Sequence, residues 1–101
     1  MPVTLNLQSG NCTVAISGKF TFDIHRQFRE YSEQALDQPD CKHLDMDLSG
    51  VEYLDSSALG MLLLVRDKAT ALGKKVRLKG ATGTTLQILQ TVKFTEMFEL
   101  A

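Results

Sequence analysis

Asp55-Ser56-Ser57-Ala58-Leu59-Gly60 joins two segments of different periodicity, and that junction constrains the fold more than any other feature of the chain. Before it, Lys42-His43-Leu44-Asp45-Met46-Asp47-Leu48 places an apolar residue at every second position, as a strand with one buried face requires. After it, Met61-Leu62-Leu63-Leu64-Val65-Arg66-Asp67-Lys68-Ala69 reads as a helix that stops at Gly73. Two hydroxyls therefore sit where a loop turns into a helix N-terminus, just beyond a strand. First-turn N–H groups lack intrahelical partners and the helix dipole adds positive potential there. Such a position favours a phosphate, whether carried by a ligand or attached to a serine. The same residue types also cap helices as a matter of course, and capping alone contributes about 1 kcal/mol.

The rest of the chain supplies a context for the junction. Val3, Leu5 and Leu7 alternate with polar residues, Ser9-Gly10-Asn11 reads as a turn, and Cys12, Val14 and Ile16 carry a return strand that ends over Ser17-Gly18-Lys19-Phe20. A first helix is predicted from about Asp23 to Leu36, with Ile24, Phe28, Tyr31 and Ala35 on one face and Asp37-Gln38-Pro39-Asp40 ending it. Val76 and Leu78 form a strand ending at Gly80, Thr84 to Thr91 a short helix, and Met97 to Leu100 a last short strand. A hairpin followed by alternating helices and strands predicts an α/β fold with a mixed sheet and right-handed crossovers.

Leu48 through Gly60, with Asp-Ser-Ser ahead of a Leu-Gly helix start, resembles the signature of STAS domains, and is most similar to single-domain anti-sigma factor antagonists. The order of strands and helices agrees from about residue 3 to residue 100, so residues 1–101 read as one STAS domain with a STAS-like mixed β-sheet. Its helices pack on the sheet. STAS domains usually carry a further C-terminal helix, which is expected to be absent because the chain ends at Ala101. The resemblance implies that Ser56 is the phosphoacceptor, flanked by Asp55, Ser57 and Gly60. It also implies the partners: an anti-sigma factor or comparable regulator, a serine kinase (often the anti-sigma factor itself) and a phosphatase, in bacterial transcription regulation. In that scheme the unmodified protein sequesters the anti-sigma factor, and phosphorylation releases it. Two residues depart from the family pattern. Ala58 stands where many members have Gly, and Thr21 where many have Asp.

The long helix carries a feature of its own. At about 100° per residue, Ala58, Met61, Leu62, Val65, Ala69 and Leu72 share one face, enough to pack on a sheet. Leu59, Leu63 and Leu64 point elsewhere, around Gly60, in the turns nearest Ser56. Either neighbouring helices cover them, or they form an exposed apolar patch for a partner. A phosphate at Ser56 would put about two negative charges on the rim of that patch.

Other chemistries find less support. A hydrolase elbow needs Gly two residues before and two after its serine, but Leu54 and Ala58 flank Ser56, while Asp55 and Leu59 flank Ser57. Only His25 and His43 could serve as a base, and both read as structural or solvated, so no enzyme is expected. Gly80-Ala81-Thr82-Gly83-Thr84-Thr85 could cradle a phosphate, yet it lacks a P-loop ending and reads more readily as a plain connecting loop. No His, Cys, Asp or Glu spacing suggests a metal site, and no cofactor is expected. With 11 Lys and Arg against 12 Asp and Glu and no basic stripe, nothing points to nucleic acid. The longest apolar run, Met61 to Val65, is too short to enter a membrane as a span, and the N-terminus lacks the regions of a secretion signal. A cytoplasmic protein with Cys12 and Cys41 as free buried thiols is the expectation. The sequence also admits a second role, as a STAS subunit supporting a membrane transport complex of the ABC lipid-transporter type.

Overall fold

The computed structural model describes residues 2–8 and 10–100. In chain order the elements are β1 (Val3–Gln8), β2 (Asn11–Phe20), a single 3-10 turn (Phe22–Ile24) running into α1 (His25–Leu36), β3 (His43–Leu54), α2 (Ser56–Ala71), β4 (Lys75–Lys79), α3 (Gly83–Thr91), α4 (Phe94–Met97) and β5 (Glu99–Leu100). The strands form one mixed sheet in the order β1-β2-β3-β4-β5, with β1 antiparallel to β2 and the remaining neighbours parallel. Ser9, in the expected turn between β1 and β2, lies outside the described residues, as does Ala101.

Register explains why the alternating segments were so regular. Leu5, Val14, Met46 and Leu78 lie across from one another in successive strands, as do Leu7, Cys12, Leu44 and Val76. Most of this face is buried, and it forms the core with Phe28, Ala35, Leu62 and Val65 from α1 and α2. The other face aligns Asn6, Thr13, Asp45, Arg77 and Glu99, then Thr4, Ala15, Asp47 and Lys79. Because side chains alternate faces along a strand, one face is apolar and packed while the other is polar.

The polar face is held by a closed network. Asp45 accepts from Arg77 Nε at 2.6 Å and Arg77 Nη2 at 2.9 Å, and from Asn11 Nδ2 at 3.2 Å, while Arg77 Nη2 also donates to Asn11 Oδ1 at 3.1 Å. These bonds tie β2, β3 and β4 together. Burial alone would raise the Asp45 carboxyl, but the hydrogen bonds from Arg77 and Asn11 outweigh it and hold the group below the ordinary aspartate range. Asp47 is lowered too, chiefly because its Oδ1 accepts the Ser49 N–H at 3.0 Å. Gly80, at φ +77, closes the loop against this turn, since an added Cβ would meet Ser49 Cβ at 2.8 Å. Thr85, in the first turn of α3 instead of a loop, is buried and donates its hydroxyl to Val51 O at 3.2 Å. Both ends of the Gly80–Thr85 segment thus serve packing.

The ends of the long helices are equally specific. α2 stops at Gly73, φ +72, where Gly73 N–H bonds Thr70 O at 3.0 Å and Lys74 N–H bonds Ala69 O at 2.8 Å, the Schellman pattern. The Lys74 ammonium then reaches the Leu36 carbonyl at the end of α1 and the Gln38 carbonyl just beyond it. Cys12 and Cys41 are buried and unpaired, and burial, followed by the neighbouring Cys41, pushes the Cys12 thiol up to about 12.

Four local expectations are corrected. β2 runs through Ser17–Phe20 instead of ending there, and β3 extends beyond Leu48 to Leu54, because the two strands remain paired through register shifts near Ser17 and Gly18. Met97 belongs to α4, which follows a left-handed Lys93 at φ +65, so the last strand has only Glu99 and Leu100. Leu72 is 56% exposed because it is the C-cap of α2, past the last buried turn.

Candidate functional site

The junction at Leu54–Ser57 is built by a change of backbone direction at one residue. Asp55 is extended, φ −106 and ψ −178, and its Oδ1 accepts the Ala58 N–H at 2.9 Å. Asp55 is therefore the N-cap, and capping by a serine is corrected: Ser56 and Ser57 are the first two helical residues. Neither serine hydroxyl makes a hydrogen bond among the described residues. Ser56 is exposed and Ser57 half-buried. Free first-turn N–H groups, the positive end of a helix of 16 residues and an uncommitted hydroxyl thus meet at Ser56.

Around this point the leucines separate into two kinds. Leu64 is 64% exposed, whereas Leu59 and Leu63 are half-buried against the core. Gly60 is exposed, and a Cβ there would meet nothing within 4 Å, so space is left open one turn from Ser56. The expected exposed patch of Leu59, Leu63 and Leu64 is therefore reduced to Leu64, because Leu59 and Leu63 pack partly against the core.

Tertiary structure adds a groove of about 630 Å³ between α1 and α2. Phe22, Phe28 and Leu36 supply one wall, Met61, Leu63 and Leu64 the other, and Ser57 lies at one end. Phe22 is 58% exposed and stacks on the His25 ring at 4.1 Å between centroids. The His25 Nδ1 proton is held by Phe22 O at 2.8 Å, so this histidine is committed within its own turn. Farther along the rim, Lys68 pairs with Glu33 at 2.6 Å and holds that carboxyl below its ordinary value. Nothing local in the sequence marks Phe22 or Ser32 as groove residues. The one available signal is that Phe22 falls outside the core stripe of the first helix.

Among the described residues, no group of three or more His, Cys, Asp or Glu is placed to hold a metal, and no helix is long and apolar enough to cross a membrane.

Comparison with known proteins agrees with this architecture. The family described as Mlab, STAS domain, matches residues 3–99. A STAS-domain containing protein of Pseudomonas aeruginosa (strain UCBPP-PA14) is 36% identical over 89 residues, covering 88% of this chain and 86% of that one. The anti-sigma factor antagonist SpoIIAA in its unphosphorylated form superposes with a TM-score of 0.76 at 15% identity, over 98% of this chain and 86% of that one. A sulfate transporter family protein from Wolinella succinogenes gives 0.72 at 16% identity, over 84% and 68%. At such identities the structural likeness speaks for the fold.

Proposed function

The chain belongs to the STAS domain family, and from that premise we propose that it is a phosphorylation-switched binding protein, an anti-sigma factor antagonist, and not an enzyme. One observation carries the reading. Asp55 takes the capping role, leaving the Ser56 hydroxyl exposed and unbonded at the positive end of α2, about two turns before the exposed Leu64. An acceptor serine must present its oxygen to a kinase without unfolding the helix it starts, and this arrangement does so.

Unphosphorylated, the start of α2 with Leu59, Leu63 and Leu64 docks on an anti-sigma factor or comparable regulator. Phosphorylation by a serine kinase adds about two charges at the rim, which the partner must desolvate or oppose, and the complex is released. A phosphatase restores the first state. Asp55, Ser57 and Gly60 flank the acceptor; none of them is assigned chemistry. The setting is a bacterial cytoplasm, with residues 1–101 acting as one domain and with neither nucleic acid nor membrane insertion involved.

A second reading, a STAS subunit holding a component of an ABC-type lipid transporter, is favoured by the family's description and by the transporter-family likeness. Both readings use the same helix surface. Co-purification from native cells separates them: regulators and kinases support the switch, and ATPase and permease subunits support the transporter role. Site-localised mass spectrometry of the same material should find phosphate on Ser56. Phosphate confined to Ser57 would overturn the assignment. Labelling of either serine by a fluorophosphonate probe, lost on changing His25 or His43, would overturn the non-enzymatic reading.

A further inference from the structure

The α1–α2 groove contains a polar atom that the protein leaves without a partner. Ser32 is 1% exposed and its Oγ has no hydrogen bond, yet it lines the groove between Phe28 and Leu36. A buried hydroxyl normally finds a carbonyl or another acceptor, and an isolated one costs stability. One turn earlier on the same helix, Arg29 stands at the rim with no hydrogen bond or close ion pair among the described residues, acting on Glu33 only through longer-range attraction. Glu33 is engaged by Lys68, and His25 Nδ1 is held by Phe22 O. The groove is thus apolar along its walls, cationic by one guanidinium at its rim, and short of one hydrogen-bond partner just beneath its floor, where side-chain movement would be needed to reach it.

We propose that the α1–α2 groove binds a free medium-chain carboxylate, with one carboxylate oxygen accepting from Ser32 Oγ and the other from Arg29. Residues three apart on a helix are surface neighbours, so both donors can reach one headgroup. From Ser32 back to His25 the groove offers roughly 10 Å of helix, at 1.5 Å per residue, walled by Phe22, Phe28, Met61 and Leu64 for the alkyl tail. Its volume of about 630 Å³ lies within the usual range for small-molecule sites. The inference stands apart from the phosphorylation reading, although Leu64 belongs to both surfaces and an occupied groove should weaken partner binding.

The test is a titration of the isolated, unphosphorylated full chain followed by amide NMR, with decanoate, decanol and decyltrimethylammonium as probes below their micelle ranges. Decanoate should shift the amides of residues 25–36 and 57–68 saturably. Decanol should bind about tenfold more weakly, for want of the charge-assisted bonds, and the cationic probe more weakly still. Arg29→Gln should reduce decanoate to the affinity of decanol, and Ser32→Ala should weaken decanoate about tenfold. Three results would overturn the proposal: equal affinity for the three probes, unchanged decanoate affinity in either variant, or shifts mapping to another surface. Binding only to phosphatidylglycerol vesicles, with none to monomeric decanoate, would overturn it too. None of these outcomes bears on whether Ser56 is phosphorylated.

Discussion

The two sides of the sheet treat polar groups in opposite ways. On the open face, Asp45, Arg77 and Asn11 satisfy one another, and Asp47 is satisfied by Ser49. On the helical side, the Ser56 and Ser57 hydroxyls and the buried Ser32 Oγ are left without hydrogen-bond partners among the described residues, and Arg29 has only a longer-range attraction to Glu33. Both regions are rich in chemistry-bearing residues, so residue type does not separate structural from functional roles. What separates them is whether the bonding capacity is consumed inside the molecule. A satisfied network fixes a fold, whereas an unsatisfied group at a surface or groove is available to something else.

The comparison breaks most readily at Arg77. Arg77→Met should destabilise by about 3–5 kcal/mol, because it leaves the Asp45 carboxylate buried and unpaired. Denaturant unfolding measures this, and partner binding by the surviving folded fraction should be unaltered. The pH dependence should also change sign. In the natural protein the Asp45 and Asp47 carboxyls are held low, so their stabilisation is present above the ordinary aspartate pKa and is lost as pH falls through the folded values. In Arg77→Met the Asp45 carboxyl is raised by burial, so the penalty of the substitution should shrink as the pH is lowered from 7 towards 4. A penalty independent of pH would show that Asp45 is not the group concerned.

Leu64→Lys tests the other side. It should weaken binding to the co-purified partner by at least about tenfold, equivalent to 1.4 kcal/mol, with the unfolding midpoint unchanged, since that side chain contributes little to the core. Leu63 is the poorer site for this test because it is half-buried. A loss of stability matching the loss of binding would place Leu64 with the structural residues.

Two adjacent substitutions sharpen the contrast at finer scale. Asp55→Ala should cost about 1 kcal/mol in denaturant unfolding through loss of the Ala58 N–H cap. Ser56→Ala should cost no more than about 0.5 kcal/mol, as a surface change away from any cap, and should keep the protein permanently able to bind. Ser56→Asp should fold as well, since a carboxylate is favourable at a helix N-terminus, and should bind less tightly. Equal affinity for Ser56→Ala and Ser56→Asp would mean that charge at this residue does not control the complex.

Much of this contrast could be read before the structure, and what could not follows a physical pattern. Alternation in Leu44-Asp45-Met46-Asp47-Leu48 specifies a one-sided strand because the side-chain period is built into the backbone. Gly73 marks the end of α2 because only a left-handed residue completes that cap without strain. By contrast, Asp45 meets Arg77 only through parallel register across residues far apart in sequence, and no local pattern announces it. The groove depends on how α1 sits against α2, so Phe22 and Ser32 are invisible as a pair. α4 is not legible in the sequence because its N-cap is a left-handed lysine, Lys93, a position that composition assigns to glycine. Asp55-Ser56-Ser57 puts three good capping residues in a row, and only the backbone angles choose among them.

That choice sets how freely position 56 can be altered over evolutionary time or by an engineer. Asp55 anchors the helix by itself, so its neighbour is relieved of any duty to the fold and can be exchanged for other small side chains at little cost. A threonine, a cysteine or an acid there would change which enzyme, oxidant or constant charge governs the surface, while the sheet and helices beneath stay as they are. On the proposed reading the molecule keeps its input and its scaffold on separate residues. New modes of control can therefore be tried at one exposed atom without first repairing the protein that carries it.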